Sequence, residues 1–202
     1  MYIARILYPV KVLGPGLRIG IWFDGCKHKC KGCSNPELWE FQERYRTSSN
    51  VVMNLIEKIT ENNIVDGFTL TGGDPLEQPE ALRVLLPKLK KINADILMYT
   101  GYEYKTIVDK YSDIFQNITV LIDGKYIEER NNNCILRGSD NQNIYILNDD
   151  YKEKYKYYLN TAKNEIQNFT SNDGIISVGI HRPDYNRTLK NLIKEKGLEG
   201  TE

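Results

Sequence analysis

The stretch "LRIGIWFDGCKHKCKGC", Leu17 to Cys33, decides the fold. Its first part, up to Phe23, is apolar and contains the β-branched and aromatic residues that favour a strand. Its second part places three of the four cysteines in the chain, Cys26, Cys30 and Cys33, within eight positions. The stretch therefore predicts a strand that leads directly into a loop in which three thiols lie close together.

The same succession of elements continues along the chain, with strands and helices alternating. Ser and Asn capping candidates precede apolar residues at helical spacing in Ser48–Asn63, which predicts a helix. Further strands are predicted at "DGFTLTGG", "DILMYTG", "NITVLIDG", "QNIYILN" and "GIISVGI", and further helices at "PEALRVLLPKLKKI", "YEYKTIVDKY" and Asp149–Phe169. Pro87 is expected to kink or break the helix at "PEALRVLLPKLKKI".

Strands that alternate with helices predict βαβ units and a parallel sheet. Five or six such units are too few for an eight-stranded barrel, so we expect an open, partial barrel whose loops at the carboxyl ends of the strands build the site. The loops "GCKHKCKGC", "TGGDP", "TGY" and "DGK" each follow a predicted strand. They are expected to converge on one face.

Composition limits the classes of function. Lys plus Arg and Asp plus Glu both number 27, so no global field favours nucleic acid or an anionic membrane. No run of eighteen apolar residues and no signal-peptide pattern is present, which predicts a cytoplasmic protein. In a reducing compartment, clustered cysteines are metal-binding or catalytic more often than disulfide-bonded.

Three cysteines at CxxxCxxC spacing leave three interpretations open. Soft thiolates bind zinc, copper(I) or iron–sulfur clusters, and the thiols can also stay unligated. A structural zinc needs four ligands, and the candidates for the fourth are His28, which is poorly spaced, His181 and Cys134. A four-iron cluster normally takes four cysteines, so three would leave one iron open to the amine and carboxylate of a small molecule. Cys134 is otherwise expected to be a small, buried or half-buried side chain.

Three lysines, Lys27, Lys29 and Lys31, alternate with the other residues of this loop. They can offset the negative charge of a cluster, or attract an acidic electron-donor protein. A solvated basic loop is the alternative.

Two further motifs carry polar chemistry. In "TGGDP", Thr71 to Pro75, two glycines after a buried strand let the backbone approach a ligand closely, and backbone carbonyls can hold an ammonium group; an ordinary turn is the alternative. In "RGSDNQ", Arg137 to Gln142, the guanidinium can pair with a carboxylate, and a polar surface turn is the alternative.

These motifs, in this order, resemble those of the radical S-adenosylmethionine (SAM) enzymes. The resemblance covers roughly Tyr8 to Gln142 and is carried by "YPV", "GPGLR", "GCKHKCKGCSNPELW", "TLTGGDPL", "YTGY", "VLIDGKY" and "LRGSDNQ". The ordered "TGY", "DGK" and "RGSxNQ" motifs, with Gly32 before the third cysteine, favour the group of activases of anaerobic ribonucleoside-triphosphate reductase. On this resemblance the expected fold is a partial (βα)6 barrel of the radical SAM type, an α/β fold with a parallel sheet and outer helices.

The resemblance also implies a set of site residues. Cys26, Cys30 and Cys33 would ligate a [4Fe–4S] cluster whose fourth iron binds the amino and carboxylate groups of SAM. The residues expected around SAM are Gly72, Gly73, Asp74, Pro75, Thr100, Gly101, Asp123 and Arg137.

The implied activity is that of a radical SAM oxidoreductase. Reductive cleavage of SAM would release a 5′-deoxyadenosyl radical, which would abstract hydrogen from a glycine Cα of a partner enzyme. The implied partners are the large subunit of an anaerobic ribonucleotide reductase and a flavodoxin- or ferredoxin-type electron donor, with no nucleic acid and no membrane. The alternatives are another glycyl radical enzyme, a peptide or a small metabolite as substrate and, more remotely, a non-enzymatic zinc-binding module.

We expect one radical SAM domain over residues 1–202, with a core at about 8–180 and a polar tail at 184–202 that frays after one short helix. The segment from Asp149 to Glu202 extends beyond the short form of the family. Its strand "GIISVGI" would complete a sixth βα unit or mark a relative with another substrate. Its tyrosines, Tyr151, Tyr155 and Tyr158, are expected to pack in the core rather than carry electrons.

Overall fold

A six-stranded mixed sheet, with its strands in chain order, forms the centre of the molecule. The computed structural model describes residues 1–171, 174–183 and 185–195. The strands of this sheet are β1 (Ile3–Val10), β2 (Arg18–Phe23), β3 (Gly67–Gly72), β4 (Ile96–Tyr99), β5 (Val120–Asp123) and β6 (Asn143–Ile146).

Strands β2 to β5 run parallel, and β1 and β6 pair antiparallel at the two edges. The strands predicted for β2 to β6 are confirmed, whereas β1 lies where the pattern predicted no element. Phe23 at the end of β2 pairs with Gly72 at the end of β3, so the loops that follow start from the same edge. The partial (βα)6 barrel stays a prediction.

Two helices cover one face of the sheet. Helix α1 (Ser49–Glu61) begins where the Ser48 hydroxyl accepts a hydrogen bond from the Val51 N–H at 3.3 Å, as an N-cap residue does. Helix α2 (Pro79–Ile92) continues through Pro87, which is exposed, so this proline does not break the helix. The apolar layer between this face and its helices includes Ile19, Ile21, Val52, Ile56, Leu70, Leu82, Leu85, Met98 and Leu121.

The helix predicted at "YEYKTIVDKY" is shorter than expected. It is reduced to α3 (Tyr104–Ile107), and a second short helix, α4 (Ser112–Phe115), follows it. Ile107, Ile114 and Phe115 still join the same apolar layer. The chain thus reaches the start of β5 through two single turns instead of one continuous helix.

The second face of the sheet is covered by the C-terminal segment, residues 149–195. Helix α5 (Lys152–Thr161) places Tyr155, which is fully buried, in a cluster with Leu97, Val120 and Ile122 of the sheet. Tyr151 and Tyr158 pack against the same cluster, and the predicted core role of the tyrosine stripe is confirmed. A parallel sheet is normally buried on both faces, and this segment supplies the second cover.

The rest of the C-terminal segment forms a hairpin and a helix. The predicted helix from Asp149 to Phe169 is wrong beyond Thr161, because β7 (Ile166–Ser171) pairs antiparallel with β8 (Gly174–Gly179) in a separate two-stranded sheet. A strand of this kind depends on its neighbour more than on local propensity. The predicted strand "GIISVGI" is confirmed as β8, but it lies in this hairpin and does not extend the main sheet.

The hairpin is fixed to the main sheet at the start of the chain. Val178 is buried in a cluster with Val10, Leu13 and Trp22. The Gln167 side chain accepts a hydrogen bond from the Lys11 N–H at 2.9 Å and donates one to the Pro9 carbonyl at 2.7 Å. These contacts hold β7 and β8 over the second face of the sheet.

The short helix predicted in the tail is confirmed as α6 (Tyr185–Glu195), and the fraying predicted after it lies outside the described residues. Within the described ranges, each helix is too short or too polar to cross a bilayer.

A buried ion network lies at the end of the sheet where β2 to β4 begin. Arg18 is fully buried, with one terminal nitrogen 3.1 Å from Asp95 Oδ1 and its Nε donating to Thr69 Oγ1 at 2.7 Å. Lys154 and Tyr155 of α5 each donate to the Asp95 carboxylate at 2.6 Å. Burial alone would raise the pKa of Asp95, but the charge of Arg18 and these hydrogen bonds outweigh it and lower the pKa. Because these residues lie at the amino ends of the strands, we call Arg18, Asp95, Lys154 and Tyr155 the amino-terminal network.

Candidate active site

A cavity opens at the edge of the sheet where β2, β3 and β4 end. The loops after these strands converge there, as the carboxyl ends of parallel strands do, and the first of them is the cysteine loop, residues 25–33. The predicted site residues that line the cavity are Cys26, Cys30, Cys33, Gly72, Gly73, Asp74, Thr100 and Gly101.

The cysteine loop depends on left-handed backbone conformations. Gly25 and Gly32 have φ values of 92° and 71°, which glycine adopts without steric cost. Lys29 has a φ of 47°, which is unfavourable for a residue with a Cβ. The Cys26 N–H donates to the Trp39 carbonyl at 2.8 Å, so the start of the loop is anchored to the segment that follows it.

The thiols of the loop are free and half-buried. Burial raises the pKa of Cys26 to about 11, although the backbone N–H groups of His28 and Lys29 act against it, and burial also raises the pKa of Cys33. Such thiols stay protonated at neutral pH until a metal displaces the proton. Cys134 is half-buried as predicted, lies outside the set of residues lining the cavity, and donates to Asn132 Oδ1 at 2.7 Å.

The arrangement of donors fits a cluster better than a single zinc ion. A closed zinc site needs four ligands on one ion, and within the described residues no group of three or more His, Cys, Asp or Glu side chains is arranged to hold a metal ion. In a four-iron cluster each cysteine binds a different iron, so the sulfurs need not meet at one point. Trp39 lines the same cavity, and its side chain donates a hydrogen bond to the Cys33 sulfur, which acts against the rise that burial causes in the pKa of this thiol.

The "TGGDP" turn packs directly on the cysteine loop. The Gly73 N–H donates to the Phe23 carbonyl at 2.7 Å, and the Asp74 N–H donates to the Gly25 carbonyl at 2.8 Å. A Cβ at Gly73 would collide with the carbonyl oxygens of Gly25 and Leu38. The absence of a side chain at Gly73 therefore lets two loops approach each other, while the turn still lines the cavity.

The Asp74 carboxylate is engaged within the protein. It accepts hydrogen bonds from the Gly101 N–H at 2.8 Å, from the Thr100 hydroxyl at 3.0 Å and from the Leu76 N–H at 3.0 Å. Asp74 is 1% exposed. Its carboxylate thus joins the loops after β3 and β4, and the backbone of the turn is left to face the cavity.

Three predicted site residues lie apart from the cavity lining. Pro75 is buried beneath the turn. Asp123 projects from β5 to the helix-covered face, because side chains alternate along a strand, and it accepts a hydrogen bond from the Tyr104 N–H at 2.7 Å. Arg137 donates to the Gln142 carbonyl at 3.1 Å. The structure does not bring these three side chains together with the cysteines.

Comparison with known proteins decides the family. The sequence model of a family described as a 4Fe-4S single cluster domain matches residues 12–145. The chain is 35% identical over 144 residues to the anaerobic ribonucleoside-triphosphate reductase-activating protein of Enterobacteria phage T4, covering 69% of this chain and 90% of that protein. Proteins of the same name match from Vibrio cholerae, at 33% over 146 residues (68% and 94% covered), and from Escherichia coli K12, at 31% over 148 residues (69% and 96% covered). The chain belongs to the family of anaerobic ribonucleoside-triphosphate reductase-activating proteins.

The match to the 4Fe-4S single cluster domain model stops at residue 145, yet the C-terminal segment also lines the cavity. The Asn131 side chain donates to the His181 carbonyl at 2.8 Å, and His181 Nδ1 lies 3.4 Å from Ser34 Oγ. Burial lowers the pKa of His181, so its ring is neutral at neutral pH. The lining residues from this segment are Ser177, Val178, Gly179, Ile180 and His181.

The sequence patterns did not predict this wall of the cavity. His181 was expected only as a distant candidate for a zinc ligand, and "GIISVGI" only as a strand. A polar Ser and His flanking an apolar strand end were the available signal, but their position depends on how the hairpin docks. The cavity is therefore built partly from residues outside the range that the family model matches.

Each loop lysine has an acidic partner. Lys27 Nζ lies 2.8 Å from Glu77 and Lys31 Nζ lies 2.9 Å from Glu129, and Lys29 pairs with Glu40. Exposed ion pairs contribute little to stability, but they balance the positive charge of the loop. The attraction of an acidic donor protein by these lysines is correspondingly weaker than the sequence suggested.

The polar residues of "RGSDNQ" satisfy backbone groups of their own turn and of the loop after β5. The Ser139 hydroxyl accepts a hydrogen bond from the Ile127 N–H at 3.1 Å. The Gln142 side chain accepts one from the Gly138 N–H and donates one to the Gly124 carbonyl, both at 2.8 Å. Gly138 and Gln142 also line the cavity, so this turn supports one side of it.

Proposed function

We propose that this chain generates a glycyl radical on an anaerobic ribonucleoside-triphosphate reductase, with a [4Fe–4S] cluster and SAM as its cofactors. One observation carries the proposal: three half-buried thiols and the glycine-rich turn line a single cavity at the carboxyl end of a parallel sheet. The 4Fe-4S single cluster domain model matches residues 12–145, which contain these thiols and this turn, and relatives that bear the reductase-activating name match 68–69% of the chain.

Each wall of the cavity has a task in this proposal. Cys26, Cys30 and Cys33 would hold three irons of the cluster, and the backbone of the turn at Gly72 and Gly73 would hold the amino group of SAM. When bound, the cluster and SAM together supply one-electron chemistry and a carbon-centred radical that removes hydrogen from a glycine Cα. The protein binds, orients and shields these groups.

Apolar side chains shield the cavity from water. Trp22, Tyr99, Val178 and Ile180 line it beside the polar turns. The Tyr99 hydroxyl donates to the Leu136 carbonyl at 2.8 Å, and burial raises the pKa of this phenol. Exclusion of water by apolar walls limits the side reactions of a reactive intermediate.

The electron would come from a flavodoxin- or ferredoxin-type protein, and the reaction would take place in the cytoplasm. Because the loop lysines are paired with carboxylates, recognition of the donor would depend on contact rather than on long-range attraction.

The test is an anaerobic reconstitution with a matched pair of cysteine variants. The native protein should bind four irons and four sulfides, release 5′-deoxyadenosine from SAM under a reductant, and give a glycyl radical signal when the reductase of the same organism is added. Cys30→Ala should abolish all three results, whereas Cys134→Ala, outside the cavity lining, should retain them. Undiminished product from Cys30→Ala would contradict the assignment.

Two other outcomes would change the substrate or the class of function that we propose. Release of 5′-deoxyadenosine without a glycyl radical on the reductase would move the substrate to another glycyl radical enzyme, a peptide or a small metabolite. A colourless protein with one zinc per chain would instead support a non-enzymatic zinc-binding module.

A further inference from the structure

His28 lies inside the cysteine loop, but its side chain turns towards the glycine-rich turn. Its Nε2 is 3.0 Å from Asp74 Oδ2, and the two side chains are 7% and 1% exposed. An ionised carboxylate only accepts hydrogen bonds, so the imidazole is the donor. The bond joins the loop after β2 to the loop after β3 through side chains that are almost removed from solvent.

The same carboxylate oxygen already holds the loop after β4. Asp74 Oδ2 accepts the Gly101 N–H at 2.8 Å and the Thr100 hydroxyl at 3.0 Å. His28 therefore completes a junction in which one carboxylate connects three loops. Hydrogen bonds to charged, buried groups are stronger than those between neutral groups.

Steric contacts fix the imidazole as well. A Cβ at Gly101 would collide with the His28 ring, so the ring lies against the backbone of this glycine. The Tyr102 ring meets it edge-on, with 4.5 Å between centroids. Tyr102 in turn donates to Glu77 at 2.6 Å. The ring is therefore held between the Gly101 backbone and the Tyr102 ring, which both belong to the loop after β4.

The backbone on either side of His28 needs such support. Lys29, the next residue, is held in a left-handed conformation, and strained backbone persists only where its surroundings fix it. The His28 N–H also acts on the sulfur of Cys26. A movement of His28 would therefore displace Cys26 and Cys30, the cysteines on either side of it.

We infer that His28 is a positioning residue, which holds the cysteine loop at a fixed separation from the turns at Gly73 and Gly101 through its bond to Asp74. The inference rests on the proposed function, because those turns are where SAM would bind. It assigns His28 a role distinct from that of a metal ligand. The bond would keep the open corner of a cluster facing the backbone that binds SAM.

The first test uses the unloaded protein, so it does not depend on cluster assembly. Anaerobic labelling with a maleimide, followed by mass spectrometry, gives the rate for each cysteine separately. His28→Ala should raise the labelling rates of Cys26, Cys30 and Cys33 by about tenfold or more, because loss of the bond lets the loop open. Cys134 serves as an internal reference, and its rate should not change.

Conservative variants separate the bond from general packing. The amide nitrogen of Gln can take the place of His Nε2, so His28→Gln should label within about twofold of the native protein. His28→Asn is too short to reach Asp74 and should behave like His28→Ala. Lys31→Ala, an exposed change in the same loop at a residue paired with Glu129, should match the native protein. Identical rates for all the His28 variants, or a His28→Gln rate as high as that of His28→Ala, would overturn the inference.

A second readout follows the loaded protein. His28→Ala, folded by circular dichroism, should broaden the electron paramagnetic resonance signal of the reduced cluster and weaken the change that SAM produces in it, and His28→Gln should restore both. An unaltered spectrum in His28→Ala would also overturn the inference. If the native protein assembles no cluster, the proposed function fails, while the labelling rates still decide the role of His28.

Discussion

The two ends of the central sheet contain similar buried charged residues, but these residues have different roles. At the end where the strands begin, Arg18 and Asp95 are both fully buried, and their charges are balanced within the amino-terminal network. At the end where the strands finish, the Asp74 carboxylate is just as buried, but it organises loops around a cavity lined by half-buried thiols.

The residues at the first end stabilise the fold, whereas those at the second end are arranged to bind a cofactor. Charges at the first end have partners inside the protein, so that end is complete without any ligand. The second end keeps three free, half-buried thiols, which bind metals in their deprotonated form. We expect changes at the first end to alter the free energy of unfolding and changes at the second end to alter cofactor binding.

The largest expected effect comes from Arg18→Met. This change leaves Asp95 without its buried guanidinium partner, and it should lower the free energy of unfolding by about 3–5 kcal/mol. Urea denaturation at neutral pH measures the loss, and the iron bound per folded chain should not change. Arg83→Met, which removes exposed ion pairs with Glu80 and Asp113, should produce no measurable loss. Equal losses for both variants would refute the contrast between the two ends.

The next effect depends on pH, because the pKa of Asp95 is lowered in the folded protein. Its carboxylate contributes stability that is present above the unfolded pKa of about 3.9 and is lost as the pH falls through the lower folded pKa. Asp95→Asn should therefore lower the free energy of unfolding by roughly 3 kcal/mol at neutral pH, and its difference from the native protein should shrink in acid. Urea curves measured as the pH is lowered give this difference. A difference that stays constant over the whole acid range would exclude Asp95 as the titrating group.

A smaller effect is expected at the cavity end from Gly73→Ala. The new Cβ meets the backbone carbonyls of Gly25 and Leu38, which cannot move aside easily, so a loss of about 1–3 kcal/mol is expected. The iron bound per folded chain should fall as well, because Gly25 begins the cysteine loop. Gly138→Ala meets the ring of Tyr126 and the side-chain oxygen of Gln142, which are side-chain atoms that can shift, and should cost less. A stable Gly73→Ala protein with full iron content would show that the two loops need not touch.

The smallest effect is expected from Gln167→Ala, which removes two hydrogen bonds that hold the hairpin to the first strand. The expected loss is about 1 kcal/mol for the two bonds together, because neither bond is fully buried. Hydrogen exchange should become faster in β7 and β8 and stay unchanged in the amino-terminal network. Asn168→Ala, at an exposed neighbouring position, is the matched control. Faster exchange throughout the chain would show that the hairpin is part of the same cooperative unit as the sheet.

Local sequence patterns predicted the elements that depend on local physics. The apolar strands β2 to β5, the Ser48 cap of α1 and the glycine turns follow from propensity, capping and alternation along the chain. The convergence of the cysteine loop with Gly72, Gly73, Thr100 and Gly101 followed from one rule, the common edge of parallel strands.

Features that depend on distant partners could not be predicted in this way. Whether Arg18 points inward is decided by Asp95, which lies 77 positions further along the chain. The strand β7 forms because β8 pairs with it, and "IQNFTS" alone is weakly patterned. The face on which Asp123 lies depends on the register of β5, a shift of one residue reversing it.

The cover of the second sheet face comes last in the chain, and this order matters while the protein is being made. When the ribosome has released residues up to Ile146, Leu97, Val120 and Ile122 still lack Tyr155, and Trp22 still lacks Val178. At typical translation speeds the missing residues follow after roughly a few seconds. During that interval the nascent chain exposes an apolar surface, and chaperones and other unfinished chains compete to bind it.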